Sequence, residues 1–167
     1  FEGTLAHLGL HGSVVEVCGV RLAGLGGVFR GRVWHPQDPA AAEPRFRTRE
    51  AMIESLPKQR RWRLGLPLRQ RATIFPEDFD RLRDQRCDIL FTHEAPGSYV
   101  RHRGRDVIRG FREIDLLAAE MGARLVVWGH HHWHERSETP EGVGTYGTRQ
   151  ATAHWIDTEA AAMVRAA

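Results

Sequence analysis

The chain is short of several things at once, and each shortage narrows what it can be. Lysine occurs once, as Lys58, so nearly all positive charge is arginine's. Cysteine occurs twice. Cys18 and Cys87 stand far apart and form no CxxC pair, which argues against a disulfide framework and for two reduced, buried thiols in a cytosolic protein. No apolar run approaches the roughly 20 residues that cross a bilayer, so no membrane partner is expected. No signal peptide is visible, and a cytoplasmic location is the expectation. HExxH is absent, and no aspartate precedes Asp38. What remains is 167 residues with 41% hydrophobic and 27% charged side chains, the make-up of one domain, residues 1–167, able to bury a core.

The formal net charge of +3 is unevenly spread. Residues 45–71 carry nine basic side chains against Glu50 and Glu54, a local +7, while the rest has 15 basic and 19 acidic residues, or −4. This basic stretch lies within a long Arg/Pro-rich excursion, 31–75, punctuated by Pro36, Pro39, Pro44, Pro57 and Pro67, with one helix expected near 48–56.

Outside the excursion the periodicities are clearer. Val14–Cys18 and Val20–Leu25 read as strands around Gly19. Pro76, followed by Glu77 and Asp78, reads as a helix start. Asp88–Thr92 and Arg124–Trp128 read as strands. Between them Val107, Phe111, Ile114, Ala118 and Met121 mark one apolar face of a helix that Gly122 stops. Strand, helix, strand predicts a βαβ unit and the α/β class. Pro140-Glu-Gly142 reads as a turn, Val143–Tyr146 and Thr152–Ile156 as strands, and Glu159–Ala167 as a short helical or frayed tail.

Two apolar runs end abruptly in histidine: Leu90-Phe91-Thr92-His93 and Val126-Val127-Trp128-Gly129-His130-His131-His132. Buried strands that stop at metal ligands have this form, because α/β sheets place their sites at the carboxyl ends of strands. Residues two apart on extended backbone point the same way, so His130 and His132 are expected to converge with His93 on one metal cluster. His7, His35 and His154 are expected elsewhere.

The order of these motifs resembles the carboxyl half of the calcineurin-like metallophosphoesterases. Gly24-Leu-Gly-Gly-Val-Phe-Arg30, Gly65-Leu-Pro-Leu68, Thr92-His-Glu-Ala-Pro96 and Gly129-His-His-His132 look like a bacterial branch often labelled serine/threonine protein phosphatase. The resemblance covers most of residues 12–132. It implies a four-layer αββα sandwich and two divalent metal ions. It also implies His93, His130 and His132 as metal ligands, with His131 in the variable middle position and His134 outside the motif. Mn, Fe, Zn and Ni all suit imidazole and carboxylate donors. The family also carries a DxH, a GDxxD-like and a GN(H/D)-type segment ahead of these motifs, none of which occurs before Gly12. The amino-terminal portion of the domain, roughly 80–120 residues on the usual size of domains, is therefore expected to be missing, and the directly catalytic groups with it.

The implied activity is hydrolysis of a phosphorylated substrate by a metal-activated hydroxide. Arg30, just after the glycine-rich turn, and His102, amid Arg101, Arg103 and Arg105, are candidates for contact with the phosphate. Gly24 to Gly27 opens no helix, so a dinucleotide or P-loop reading fails on context. The arginine-rich stretch reads as a solvated loop. Nucleic acid as a partner is not favoured, because the stretch has many prolines and no recognisable reading helix or aromatic platform. The alternative to the enzyme is a non-enzymatic metal-binding or nucleic-acid-binding module on the same half fold.

Overall fold

A computed structural model describes residues 9–63, 65–103, 106–149, 155–157 and 162–164. The elements are β1 (Ser13–Val17), β2 (Val20–Leu25), α1 (Arg49–Ser55), α2 (Pro76–Arg83), β3 (Ile89–Thr92), β4 (Val100–Arg103) and β5 (Asp106–Arg109). They continue with α3 (Arg112–Glu120), β6 (Leu125–Trp128), β7 (Glu135–Glu138), β8 (Gly144–Gly147), β9 (Trp155–Asp157) and β10 (Ala162–Val164).

Six strands form one mixed sheet in the order β1-β2-β3-β6-β8-β7. The inner ladders β2–β3, β3–β6 and β6–β8 are parallel, and the edge strands β1 and β7 pair antiparallel. The expected βαβ unit is β3–α3–β6, and the protein is of the α/β class. Leu90 and Val126 pack on one face of the sheet with Phe79 and Leu82 of α2 and Ile114, Leu117 and Ala118 of α3. Ile89, Leu125 and Val127 are buried on the other face with Tyr146. Burial on both faces explains why β3 and β6 read as continuous apolar runs rather than alternating ones. Two further antiparallel pairs, β4–β5 and β9–β10, stand outside this sheet. Among the described residues no helix is long and apolar enough to cross a membrane.

The β1–β2 turn has Cys18 at φ 51° and Gly19 at φ 79°. Two positive φ angles are the requirement of a two-residue type I′ hairpin, whose twist matches that of the flanking strands. This geometry puts Cys18 at an exposed tip, so the expectation of two buried thiols holds only for Cys87. Burial pushes the Cys87 thiol up to about 12, which keeps it protonated and unreactive.

Two other expectations are corrected. The helix expected from Val107 begins at Arg112; Val107 lies in β5, paired with His102. The step of four from Val107 to Phe111 imitates helical spacing across Gly110, where the backbone turns against Ala95 and Pro96. In the tail, Ala162–Val164 is a strand paired with Trp155–Asp157, so ladder pairing overrides the helical preference of alanine there. Residues 152–154 of the expected strand, and the rest of the tail, lie outside the described residues.

The excursion 31–75 carries its own apolar cluster, built by Val33, Met52, Leu56, Leu66 and Phe75, with Trp34, Phe46 and Ile53 packed against it. Its helix α1 is capped by Thr48, whose hydroxyl accepts from the Ala51 N–H at 3.1 Å. Arg49, the first residue of α1, forks onto both oxygens of Asp78 at 2.7 and 2.9 Å and onto Glu77 at 2.7 Å. Asp78 is fully buried and also accepts the Phe75 N–H at 2.9 Å. His11 accepts the Gly26 N–H on Nδ1, which leaves its Nε2 to donate to Asp78, 3.2 Å away.

Burial alone would raise the Asp78 carboxyl. The hydrogen bonds from His11, Arg49 and the Phe75 amide outweigh it and hold the group at about 2. A carboxyl depressed in the folded state adds stability that is present above its ordinary value near ~3.9 and lost as pH falls through about 2. The loss is expected to be about 2–3 kcal/mol on falling from pH ~5 to ~2. Urea unfolding across that window, compared with Asp78→Asn, isolates this share from Asp88 and Glu141, which titrate in the same range. Equal pH dependence in both proteins would refute the assignment.

Candidate functional site

β3 and β6 are adjacent and parallel, in a register that pairs Thr92 with Trp128. Both chains therefore leave the sheet at the same edge, and His93 and His130 meet there with ring centroids 4.9 Å apart. Two hydrogen bonds fix the β3 exit. The His93 N–H donates to Leu25 O at 3.3 Å, and the Thr92 hydroxyl donates to Glu94 O at 2.7 Å. At the β6 exit both the N–H and the hydroxyl of Thr148 donate to Trp128 O. Trp128 is itself fully buried.

The histidine run is not extended as the i, i+2 argument assumes. His130 and His132 have φ of 60° and 56°, and the His131 N–H closes a three-residue turn onto Gly129 O at 2.7 Å. Left-handed backbone at two non-glycine residues is strained, and such strain concentrates at functional sites. The turn directs His131 inward. Its ring stacks on Tyr99, 5.1 Å away and tilted by 21°, and lies edge-on to Trp128. His131 is thus a packing residue with its neighbours on either side exposed.

Glu94 is the residue that sequence reasoning missed. It is buried, at 5% exposure, and turns its carboxylate back under the sheet edge. Oε1 accepts the Phe29 N–H at 3.3 Å, and Oε2 lies 3.2 Å from Nδ1 of His130. A carboxylate bound to Nδ1 fixes the tautomer and leaves Nε2 as the free nitrogen, the arrangement that orients histidine ligands in metal sites. The signal was present in Thr92-His-Glu-Ala-Pro96, but nothing in the sequence says that this glutamate is buried.

The titration of the cluster follows from crowding. Burial lowers His93, and the like charges of His130 and His132 lower it further, against a smaller opposing pull from Glu94. Burial and His132 lower His130. Burial, with the other three histidines, lowers His131 to about 4. Burial raises Glu94, against the Phe29 amide and the nearby charges of His93, His35 and Arg30. His93, His130 and His131 are therefore pushed toward the neutral form, the form in which nitrogen binds a metal.

A cleft of about 410 Å³ opens beside these residues, lined by Arg30, His35, Glu94, Arg109, His130 and His131 among others. Of the two residues expected to face a phosphate, Arg30 lines this cleft. His102 does not; it stands exposed on β4, and Arg109, on the paired strand β5, takes its place. His35 corrects a second expectation. It lies in the cleft, edge-on to Phe111 at 5.4 Å, with a buried Nδ1 that has no hydrogen-bond partner among the described residues. His7 and His154 lie outside the described residues. His134 is engaged by the Tyr146 hydroxyl at 3.3 Å.

The donors suit a divalent cation by chemistry: neutral imidazoles and a buried carboxylate. They do not close a site alone, because no group of three or more His, Cys, Asp or Glu side chains among the described residues could hold a metal ion.

No family model matches the chain. The chain is similar to a protein of Haemophilus influenzae that is described only as uncharacterized. The two are 42% identical over 123 residues, which cover 74% of this chain and 49% of that protein. The chain thus spans about half the length of the curated relative it matches.

Proposed function

We propose that this chain belongs to a metal-dependent phosphoesterase of the calcineurin-like type, with His93, His130 and His132 as ligands to a pair of divalent ions. The observation that carries the reading is the meeting of His93 and His130 at the carboxyl ends of two adjacent parallel strands, with Glu94 behind His130. The αββα sandwich belongs to the same proposal, the six-stranded sheet being one of its two sheets. When bound, such ions would supply an activated water and positive charge for the phosphoryl group. The chain's own residues orient and neutralise. Glu94 holds the His130 ring, and Arg30 and Arg109 offer guanidinium groups to a phosphate entering the cleft. In this reading the pair needs further ligands besides these histidines, at least one carboxylate among them.

Purified alone, the chain is expected to bind Mn²⁺ weakly and to hydrolyse little p-nitrophenyl phosphate or its bis ester. Joined to an upstream segment that supplies further ligands, the chain is expected to hydrolyse one or both when a divalent ion is added. Turnover by the short chain alone at rates typical of enzymes would show that other residues do the chemistry. The local charge of +7 over residues 45–71 favours a second reading, a non-enzymatic metal-binding or nucleic-acid-binding module. Metal binding that needs His93 and His130, in a longer protein with no metal-stimulated hydrolysis, would establish that second reading.

A further inference from the structure

The excursion builds a second concavity that shares no lining residue with the histidine cleft. Its volume is about 360 Å³, and Arg32, Arg60, Arg61, Arg69 and Trp62 line it, with no acidic residue in the wall. Two short 3₁₀ turns, Lys58–Arg60 and Leu68–Gln70, each preceded by a proline, present these side chains from the excursion's apolar base. Arg61 is held in place. Its Nε donates to Leu56 O at 3.0 Å and its Nη2 to Glu54 O at 3.4 Å. Trp62 is likewise engaged, with the guanidinium groups of Arg63 and Arg71 at 4.5 and 4.9 Å from its ring centroid.

The other arginines of the pocket are different. Arg21, Arg47, Arg49, Arg83 and Arg112 each pair with a carboxylate. Arg32, Arg60 and Arg69 have no such partner among the described residues. Three unpaired guanidinium groups around one concavity repel one another, and the arrangement is relieved by an anion that several of them share. Guanidinium forks match phosphate oxygens, and a multiply charged ligand satisfies more than one fork. With cations already against its ring, Trp62 is a poor platform for stacking a base. Recognition there is by charge along a phosphate chain rather than by base identity.

We propose that this pocket is an anion site for neighbouring phosphate groups, supplied by a nucleic-acid backbone or by the phosphate chain of a free nucleotide. The test uses the whole chain and does not depend on the histidine cleft. Binding of labelled oligo(dT) is followed by fluorescence anisotropy across a salt series, with inorganic pyrophosphate and ATP as competitors. Arg60→Gln/Arg69→Gln is compared with Arg83→Gln/Arg86→Gln, which removes the same charge elsewhere on the surface. The pocket variant is expected to bind about tenfold more weakly and to lose roughly 0.7 from the log–log salt slope for each phosphate contact removed. The control variant is expected to bind like the parent. Competition by pyrophosphate and ATP identifies the free phosphate chain as ligand, and binding of the oligonucleotide without such competition identifies the backbone. Equal weakening in both variants, or no binding of any of these anions at physiological salt, would overturn the proposal.

Discussion

On the phosphoesterase reading proposed above, replacing His130 with alanine in a protein that carries the further ligands is expected to lower metal-stimulated phosphoester hydrolysis about 10²-fold or more, roughly 3 kcal/mol of transition-state stabilisation. The argument is positional. His130 is where the end of β6, the ring of His93 and the carboxylate of Glu94 come together. Its loss removes a nitrogen donor and leaves Glu94 buried beside an apolar gap. Glu94→Gln provides the graded comparison. It keeps size and burial but weakens the hold on Nδ1, and outer partners of ligating histidines typically contribute about 10–100-fold to metal affinity or activity. His130→Ala should therefore lower both metal affinity and rate, with Glu94→Gln lying between it and the parent. Calorimetric titration with Mn²⁺, beside steady-state kinetics, separates the two effects. An unchanged rate in His130→Ala would remove this histidine from the chemistry.

A second large effect is expected at a residue with no functional group. A Cβ on Gly110 would lie 1.9 Å from Pro96 O and 2.6 Å from Ala95 O. Both contacts are to backbone, so no side-chain rotation relieves them. Gly110 must be bare because β5 ends there against the segment that follows Glu94. Phe111 N–H donates to Ala95 O at 2.8 Å, and Gly110 N–H donates to Tyr99 O at 2.9 Å. Gly110→Ala is expected to cost roughly 4 kcal/mol or more, in the range that marks strain at a constrained site. Gly19→Ala is the contrast: nothing lies within 4 Å of its added carbon, and only its φ of 79° is unfavourable. That change should cost about 1–2 kcal/mol. Denaturant midpoints for the two variants check the ranking, and similar losses would mean that the 95–97 segment yields to the added carbon.

The sheet interior was legible because burial on both faces leaves a plain record: Ile89–Phe91 and Leu125–Trp128 are apolar throughout, and each is followed two residues on by histidine. The edges were not. β7 is Glu-Arg-Ser-Glu, an exposed edge strand held by backbone pairing to β8, with no apolar period to detect. β4 is similarly written in arginine and histidine. At the site, His93 and His130 could be placed together because their strands were recognisable as a parallel pair. Glu94 and His35 could not. The burial of one and the approach of the other across the Arg30–Trp34 turn are tertiary facts, carried by no local pattern. The basic excursion was visible as charge, whereas its ordered base of Val33, Met52, Leu56, Leu66 and Phe75 is scattered over more than forty residues without a period.

The strand order also has a consequence in time. β1 and β2 join across Cys18-Gly19, and β7 and β8 across the turn that begins at Thr139, so both pairs close small loops. The ladder between β2 and β3 closes a loop from Leu25 to Ile89, and that between β3 and β6 one from Thr92 to Leu125. Loop closure must be met before distant contacts reward it, so the local hairpins are expected to form early and the central parallel ladders late. The histidine edge exists only once β3 and β6 lie side by side. It is therefore expected to form late in folding, after the excursion's arginines are already open to the surroundings.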